Sequence, residues 1–388
     1  MTHRGNGDPR VPLEALLGRL IRWLADDAYP RWAQHGIDAD GGFFESLAQD
    51  GVGIRDPRRA RVHPRQVYAF AQAPRFGWRG DARGIVRRGM DYFIRHYRRG
   101  DGLFRTLADC DGAPLDERAL LYDQAFALLG YAAAAMLEAR EVFEARALEL
   151  LGLIESRMGA GDGALYSDLE RTDRRESNPH MHLLEACLAW ARIGSDAAWA
   201  AWVRRLVELA VSRLIRRDGA LAEFYTSAWA PVSGVAGRLI EPGHQFEWAW
   251  LLLRCEPLYP APLRATALRL LAIGEQHGVH HGVAVNQLLD DWSVADPDAR
   301  FWPQTERLKA ALLAASLTGD GRYWTMAHAA GLSLLPYLHT PLPGLWFDVR
   351  RPSGELLVSA APASTFYHVV GAIMALDTAL HRPTGAGQ

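Results

Sequence analysis

The sequence predicts an all-α fold, an (α/α)6 barrel of six helical hairpins with short β-hairpin-like loops, and three observations predict it. A glycine turn recurs six times along the 388 residues. The stretches between turns carry apolar residues at three- and four-residue spacing, the mark of helices with a buried face. Several stretches, such as Phe246-Glu247-Trp248-Ala249-Trp250-Leu251-Leu252-Leu253, are apolar around most of their circumference, which suits one layer of helices wrapped by another.

Each turn is a glycine followed by a small strand-like apolar run. It reads Asp40-Gly41-Gly42-Phe43-Phe44, then Asp101-Gly102-Leu103-Phe104, then Asp162-Gly163-Ala164-Leu165-Tyr166. It returns as Asp218-Gly219-Ala220-Leu221, His281-Gly282-Val283-Ala284-Val285 and Pro343-Gly344-Leu345-Trp346-Phe347. Counted from Gly42, Gly102, Gly163, Gly219, Gly282 and Gly344, the intervals are 60, 61, 56, 63 and 62 residues. Self-similarity at a fixed period marks a repeat architecture. Each interval has room for two helices of ordinary length and a connection. The Ala- and Leu-rich segments 122–140, 181–193, 199–215, 246–253, 262–277 and 305–317 read as helices. Such hairpins stack as an open solenoid or close into a ring, and the all-round apolar segments favour the ring. No linker interrupts the chain, so residues 11–381 are expected to form a single domain, with a disordered tail at 1–10 and a frayed one at 382–388.

Composition excludes several classes. Lysine plus arginine number 43, of which Lys309 is the one lysine, and the net charge is -2. A near-neutral chain without a basic block is not expected to bind nucleic acid. No apolar run approaches the ~20 residues of a membrane span. The first ten residues lack the apolar core of a signal peptide. Cys110, Cys187 and Cys255 are too far apart for a disulfide framework and read as reduced thiols, so a cytoplasmic protein is expected. P-loop, HExxH, GxSxG and GxGxxG motifs are absent.

Unusual polar residues fall in one slot of the repeat. Arg65 lies 23 residues after the first glycine, Tyr122 20 after the second, and Asn178 and His182 15 and 19 after the third. His244 and Glu247 follow the fourth by 25 and 28, Trp302 and Glu306 the fifth by 20 and 24, and His368 the sixth by 24. In a closed barrel that slot converges on one end of the axis. Prolines in His63-Pro64-Arg65, Asn178-Pro179-His180, Glu241-Pro242-Gly243-His244 and Trp302-Pro303-Gln304 place these residues at helix starts. Helix starts offer free N–H groups, which favour hydroxyls and developing oxyanions.

Each residue also has a plainer reading. Asn178 could cap its helix, Trp302 and His368 could be core, and His244 and Glu247, three apart on one helix face, could be a structural pair. Their common phase favours a site. Metal readings rest on His277, His280 and His281, which read as a polar loop, and on His180-Met181-His182, which lies on a helix; no metal is expected.

These stretches resemble the N-acylglucosamine 2-epimerase superfamily, nearest to its bacterial D-mannose isomerase branch and the related sulfoquinovose isomerases. The resemblance is carried by Arg65-Gln66-Val67-Tyr68-Ala69-Phe70, Tyr122-Asp123-Gln124-Ala125-Phe126 and Asn178-Pro179-His180-Met181-His182-Leu183-Leu184-Glu185-Ala186. It continues through Glu241-Pro242-Gly243-His244-Gln245-Phe246-Glu247-Trp248, Trp302-Pro303-Gln304-Thr305-Glu306 and Ser364-Thr365-Phe366-Tyr367-His368. It implies an (α/α)6 barrel that interconverts sugars at C1 and C2 without metal or redox cofactor. It implies that His244 and His368 are the general acid and base, with Glu247 supporting His244. It also implies that Arg65, Tyr122, Asn178, His182 and Trp302 line the sugar pocket, with Glu306 at a family acidic position.

The expected activity is therefore D-mannose to D-fructose isomerisation through a cis-enediol. A 2-epimerase acting on mannose, cellobiose or N-acetylglucosamine is the alternative. The expected partner is a monosaccharide alone, with the protein a monomer or homodimer. Phosphorylated or sulfonated sugars are less expected, since no lysine or arginine cluster dedicated to the anion can be named from sequence. A glycoside hydrolase using Glu247 and Glu306 as its two carboxylates is a third reading, and a barrel that only binds carbohydrate a fourth.

Overall fold

A computed structural model describes residues 10–381 of the chain. The expected tails lie outside the described residues except for Arg10, whose guanidinium carbon stands 5.9 Å from the centre of the Trp324 ring.

Helices α1 (Val11–Arg22) and α2 (Tyr29–His35), joined by a π-helical turn at Trp23–Ala28, make the first outer helix. Inner and outer helices then alternate. The inner ones are α3 (Val62–Ala71), α5 (Leu121–Ala135), α7 (Ser177–Ile193), α9 (Pro242–Cys255), α11 (Phe301–Thr318) and α13 (Ala363–His381). The outer ones are α4 (Ala82–Tyr97), α6 (Arg140–Met158), α8 (Ala198–Leu209), α10 (Arg264–Gly278) and α12 (Gly321–Leu338). Each inner helix packs on the next, and α13 returns to α3, which closes the ring. The outer helices α4, α6, α8, α10 and α12 lie on α3, α5, α7, α9 and α11, and α1 lies on α13.

The two layers follow from side-chain patterning. In α5 every residue except Tyr122 is buried, so it has no solvent face. Outer α4 is amphipathic, burying Ile85, Val86, Met90, Phe93 and Tyr97 while Arg83, Arg87, Arg88 and Arg95 face water. Among the described residues only Ala363–His381 is long and apolar enough to cross a membrane. It is a wall of the barrel, packed against α3, α11 and α1.

Two details differ from the sequence reading. The helix expected over 122–140 ends at Ala135, and Ala139, at φ 50°, redirects the chain into α6. The left-handed residue of the first turn is Gly41, at φ 91°, rather than Gly42. The sixth turn needs glycine twice over: Gly344 has φ 90°, and a Cβ there would lie 2.6 Å from the Asp27 carbonyl oxygen.

Inner helices pin the turns. Gln124 accepts from the Phe104 N–H and donates to its carbonyl, both at 2.8 Å. Gln245 does the same to Leu221 at 3.0 and 2.8 Å, and Gln304 to Ala284 at 2.8 and 2.8 Å. His180 and His63 accept from the N–H groups of Leu165 and Phe43. In the sixth repeat Phe366 takes this place. It stacks on Trp346 (5.6 Å) and Trp32 (5.8 Å) in an aromatic cluster that seals the last repeat against the first. Replacing Gln245 by leucine leaves the Leu221 N–H and C=O buried and unpaired. We expect a loss of about 2–3 kcal/mol of stability, read from denaturant unfolding. An unchanged midpoint contradicts the pinning role.

Candidate active site

Two residues after each pin, the inner helices present Arg65, Phe126, His182, Glu247, Glu306 and, by the same phase, His368. The pins fix how far each inner helix protrudes, so these six side chains share one level of the barrel. Above them is a cavity of about 310 Å³, lined by Arg65, Tyr122, Asn178, His182, His244, Glu247, Trp302 and His368 together with loop residues. That volume lies at the small end of ligand pockets and suits a single sugar. Eight of the nine expected site residues therefore converge. The ninth, Glu306, is fully buried directly behind His368.

The two lining histidines that meet Trp302 are built alike. His244 Nδ1 is 2.8 Å from Glu223 Oε2, and His368 Nδ1 is 2.8 Å from Glu306 Oε1. Each imidazole thus spends Nδ1 on a buried carboxylate and keeps Nε2 for the cavity they line. Trp302 lies against both, with ring centres 5.2 Å from His244 and 5.4 Å from His368.

Their charges differ. Burial pulls His244 down, but Glu223 and Glu241 more than offset it and carry it up to about 9. Burial pulls His368 well below its ordinary value, and Arg65 and Lys309 push the same way. At neutral pH the pair is one imidazolium and one neutral imidazole, the combination that acid–base catalysis needs.

The expected support of His244 by Glu247 is corrected here: Glu223 makes that contact. Three residues of separation bring Glu247 onto the same helix face, but His244 sits in the first turn and reaches back to the loop that carries Glu223. Glu247 lies deeper. Its nearest cationic or imidazole contact is His182 Nδ1 at 3.9 Å, and both its oxygens are buried without a hydrogen-bond partner. Burial and then the neighbouring Glu306 push it well above the carboxylate range, so it is a neutral carboxylic acid. His182 Nδ1 meets Glu185 Oε2 at 3.3 Å, and burial brings His182 to about 4, hence uncharged.

Arg65 donates to the Tyr122 hydroxyl at 2.6 Å and to the Ser364 carbonyl at 3.3 Å, with its guanidinium 4.1 Å from the Phe126 ring centre. Its Nε is buried and unpaired. Asn178 does not cap α7, since no side chain caps that helix and Asn178 Oδ1 has no partner. Both orphaned atoms belong to side chains that line the cavity. Arg59, Arg61 and Arg300 stand around it on the loop side.

Glu223 and its relatives had a sequence signal. The residue four after each left-handed turn glycine is Glu45, Thr106, Ser167, Glu223, Asn286 and Asp348, polar in all six repeats. Five of them bond residues at or just before an inner-helix start: Glu45 with Arg59, Thr106 with Arg61, Glu223 with His244, Asn286 with Arg300 and Asp348 with Thr365.

Among the described residues, the closest approach to a metal cluster is His182, Glu185 and Glu247 with Glu306 and His368. There Glu306 is already engaged by His368 Nδ1 and by the Lys309 ammonium, 2.6 Å from its Oε2, so the cluster carries its own cation. His180 is spent on Leu165 and on the Glu176 carbonyl, away from His182. His277 stacks on Trp292 at 4.2 Å.

Comparison with known proteins adds four findings. The profile of the family described as N-acylglucosamine 2-epimerase (GlcNAc 2-epimerase) matches residues 42–372. A "Mannose-6-phosphate isomerase" of Rhizobium meliloti (strain 1021) is 44% identical over 382 residues, covering 94% of this chain and 97% of its own length. A "D-mannose isomerase" of Marinomonas mediterranea is 27% identical over 369 residues, covering 87% of this chain and 91% of its own. In fold, a crystal structure of a D-mannose isomerase superposes with a TM-score of 0.84 at 22% identity, covering 97% of this chain and all of that one.

Proposed function

The chain belongs to the N-acylglucosamine 2-epimerase family of sugar isomerases and epimerases, and we propose that within it the protein is an aldose–ketose isomerase interconverting D-mannose and D-fructose. The observation that carries the proton-transfer chemistry is the pair of histidines, one protonated and one neutral, against one tryptophan, each anchored through Nδ1 on a carboxylate. The names of the relatives add support.

The sugar opens to its aldehyde with its C–H face on Trp302. His368 Nε2 takes the C2 proton. The electron pair forms the C1–C2 double bond, and O1 takes a proton from the His244 imidazolium. The result is a cis-enediol, with Arg65 and the neutral Glu247 donating to its oxygens. His368 then returns its proton to C1. His244 recovers a proton from O2 as the ketone forms, so both histidines end as they began. If instead His244 kept its proton while the enediolate formed and delivered it to the opposite face of C2, the product would be the epimer. One base and one acid serve either outcome, so the choice of isomerase rests on the names of the relatives. Incubation with D-mannose and analysis of the products by chromatography tests this. Fructose as the main product supports the isomerase; glucose without fructose assigns the epimerase, and no change in any monosaccharide refutes both.

A second reading concerns the substrate. Arg59 and Arg300, with side chains 42% and 37% exposed and each also paired with a carboxylate, Glu45 and Glu241, bring two guanidiniums to a rim of the cavity that sequence alone does not reveal. That rim suits a phosphate on the far end of the sugar, as does the name of the 44% identical relative. If so, kcat/KM for mannose 6-phosphate exceeds that for mannose, and Arg59→Ala and Arg300→Ala each reduce the preference by about tenfold. Equal losses on both sugars contradict it.

A further inference from the structure

Lys309 is the only lysine in the sequence, and the other 42 of its 43 cationic Lys and Arg side chains are arginines. It is not at the surface. It lies on α11, one turn beyond Glu306, with 2% of its side chain exposed. Its Nζ is 2.6 Å from Glu306 Oε2 and 3.7 Å from the centre of the Trp250 ring. Gly371 on α13 lies beside it: a Cβ there would stand 4.0 Å from Nζ, in ordinary contact. The chain His368 Nδ1–Glu306 Oε1, Glu306 Oε2–Lys309 Nζ runs from the cavity into the barrel floor.

We propose that Lys309 is a positioning residue for the proton transfer: its ammonium keeps Glu306 a carboxylate, and that carboxylate holds His368 with Nδ1 protonated and Nε2 free. The inference rests on the base role given to His368 above. A carboxyl this buried favours its neutral form unless a cation pairs with it. A neutral Glu306 would share a single proton with the imidazole, and the pair would be a poor acceptor for the proton at C2. A compact ammonium suits this place. Its charge is a point, and it needs no planar set of acceptors.

The surroundings of this relay are all accounted for. Arg65 faces His368 from α3; His182 and Glu185 face it from α7; Glu247 faces Lys309 and Glu306 from α9. Tyr68 on α3 lies near Lys309, and Tyr367 on α13 donates to Glu185 at 2.6 Å. Glu185 is an anion held at about 2, against the push of burial, by His182, Lys309 and Tyr367. Burial raises Glu306 above its ordinary value and Lys309 is the first group that pulls it back; Lys309 is therefore the cation on which Glu185 and Glu306 both draw, and burial of its amine is more than offset by Glu306 and Glu185.

Substitution Lys309→Met keeps the length and removes the charge. The sign is fixed by electrostatics: without the cation, the Glu306–His368 pair binds a proton more tightly. The acid limb of kcat/KM is expected to move to higher pH by about 1–3 pH units, with activity recovered in alkaline buffer. A limb that stays in place while kcat falls uniformly reduces Lys309 to packing and overturns the proposal. Titration of His368 by 15N NMR on Lys309→Met, without substrate, reads the same proton uptake and decides the matter even if the sugar reaction is assigned wrongly. If that variant does not fold, the wild type still answers. Labelling with 15N-lysine gives one side-chain signal, which should remain an ammonium from pH 5 to 9.5 and shift in His368→Asn. A signal that titrates within that range, or is blind to His368→Asn, overturns the relay.

Discussion

Substitution His368→Asn is expected to lower kcat by about 10³–10⁴-fold, the share that a positioned base contributes. Asparagine is the informative choice. Its side-chain amide still donates to Glu306, so the Glu306–Lys309 pair stays satisfied and the barrel floor intact. What is lost is the free Nε2 lone pair. KM should change little, because the pocket's sugar-facing donors on Arg65, Tyr122 and Asn178 remain. Stability should also hold, and denaturant unfolding checks this. A variant with near wild-type kcat refutes the assignment of His368 as the base and leaves it a core residue in apolar company.

Glu223→Gln should act on the other histidine and change the shape of the pH profile rather than only its height. In the wild type, His244 is protonated up to about 9. The rate should therefore fall as pH rises through about 9, when the acid is lost. Without the Glu223 carboxylate, burial dominates and His244 returns toward its ordinary value near 6.5. At pH 8 that leaves roughly one-thirtieth as much imidazolium, so the rate should drop roughly 30-fold at pH 8 and less at pH 6. The same pair has a stability signature. A group whose folded-state value is raised contributes fully below its unfolded value, here 6.5, and loses that contribution as pH rises through about 9. Glu223→Gln should flatten the stability curve across that window. A profile that keeps its alkaline limb near 9 contradicts the Glu223–His244 pairing, and a shift produced instead by Glu247→Gln restores the partner that sequence spacing suggested.

What the sequence made legible is what repeats. Turn glycines recur because the left-handed conformation needs them, so six of them marked six hairpins. The phase after each turn then carried Arg65, Tyr122, Asn178, His182, His244, Glu247, Trp302 and His368 to one cavity, because a shared offset in a closed ring is a shared height. The partners were less visible, for physical reasons. Glu223 lies on a loop 21 residues before His244 and meets it only through the return of the inner helix. Glu185 and Lys309 lie one turn below the lining residues, where a charged side chain in an apolar run looks like a solvated face. Of the thirteen tryptophans, the twelve besides Trp302 could not be assigned a role either. Trp32 and Trp346, 4.9 Å apart, are distant in sequence and touch only because the first and last repeats meet.

The most direct test of enediol chemistry by this pair of histidines is isomerisation in D2O, with the ketose examined by NMR. Deuterium should appear at C1 of the fraction of fructose for which the proton held by His368 exchanges with solvent before it is returned, and His368→Asn should abolish both the ketose and the label. Fructose in undiminished amount from His368→Asn, labelled or not, contradicts proton transfer by this residue.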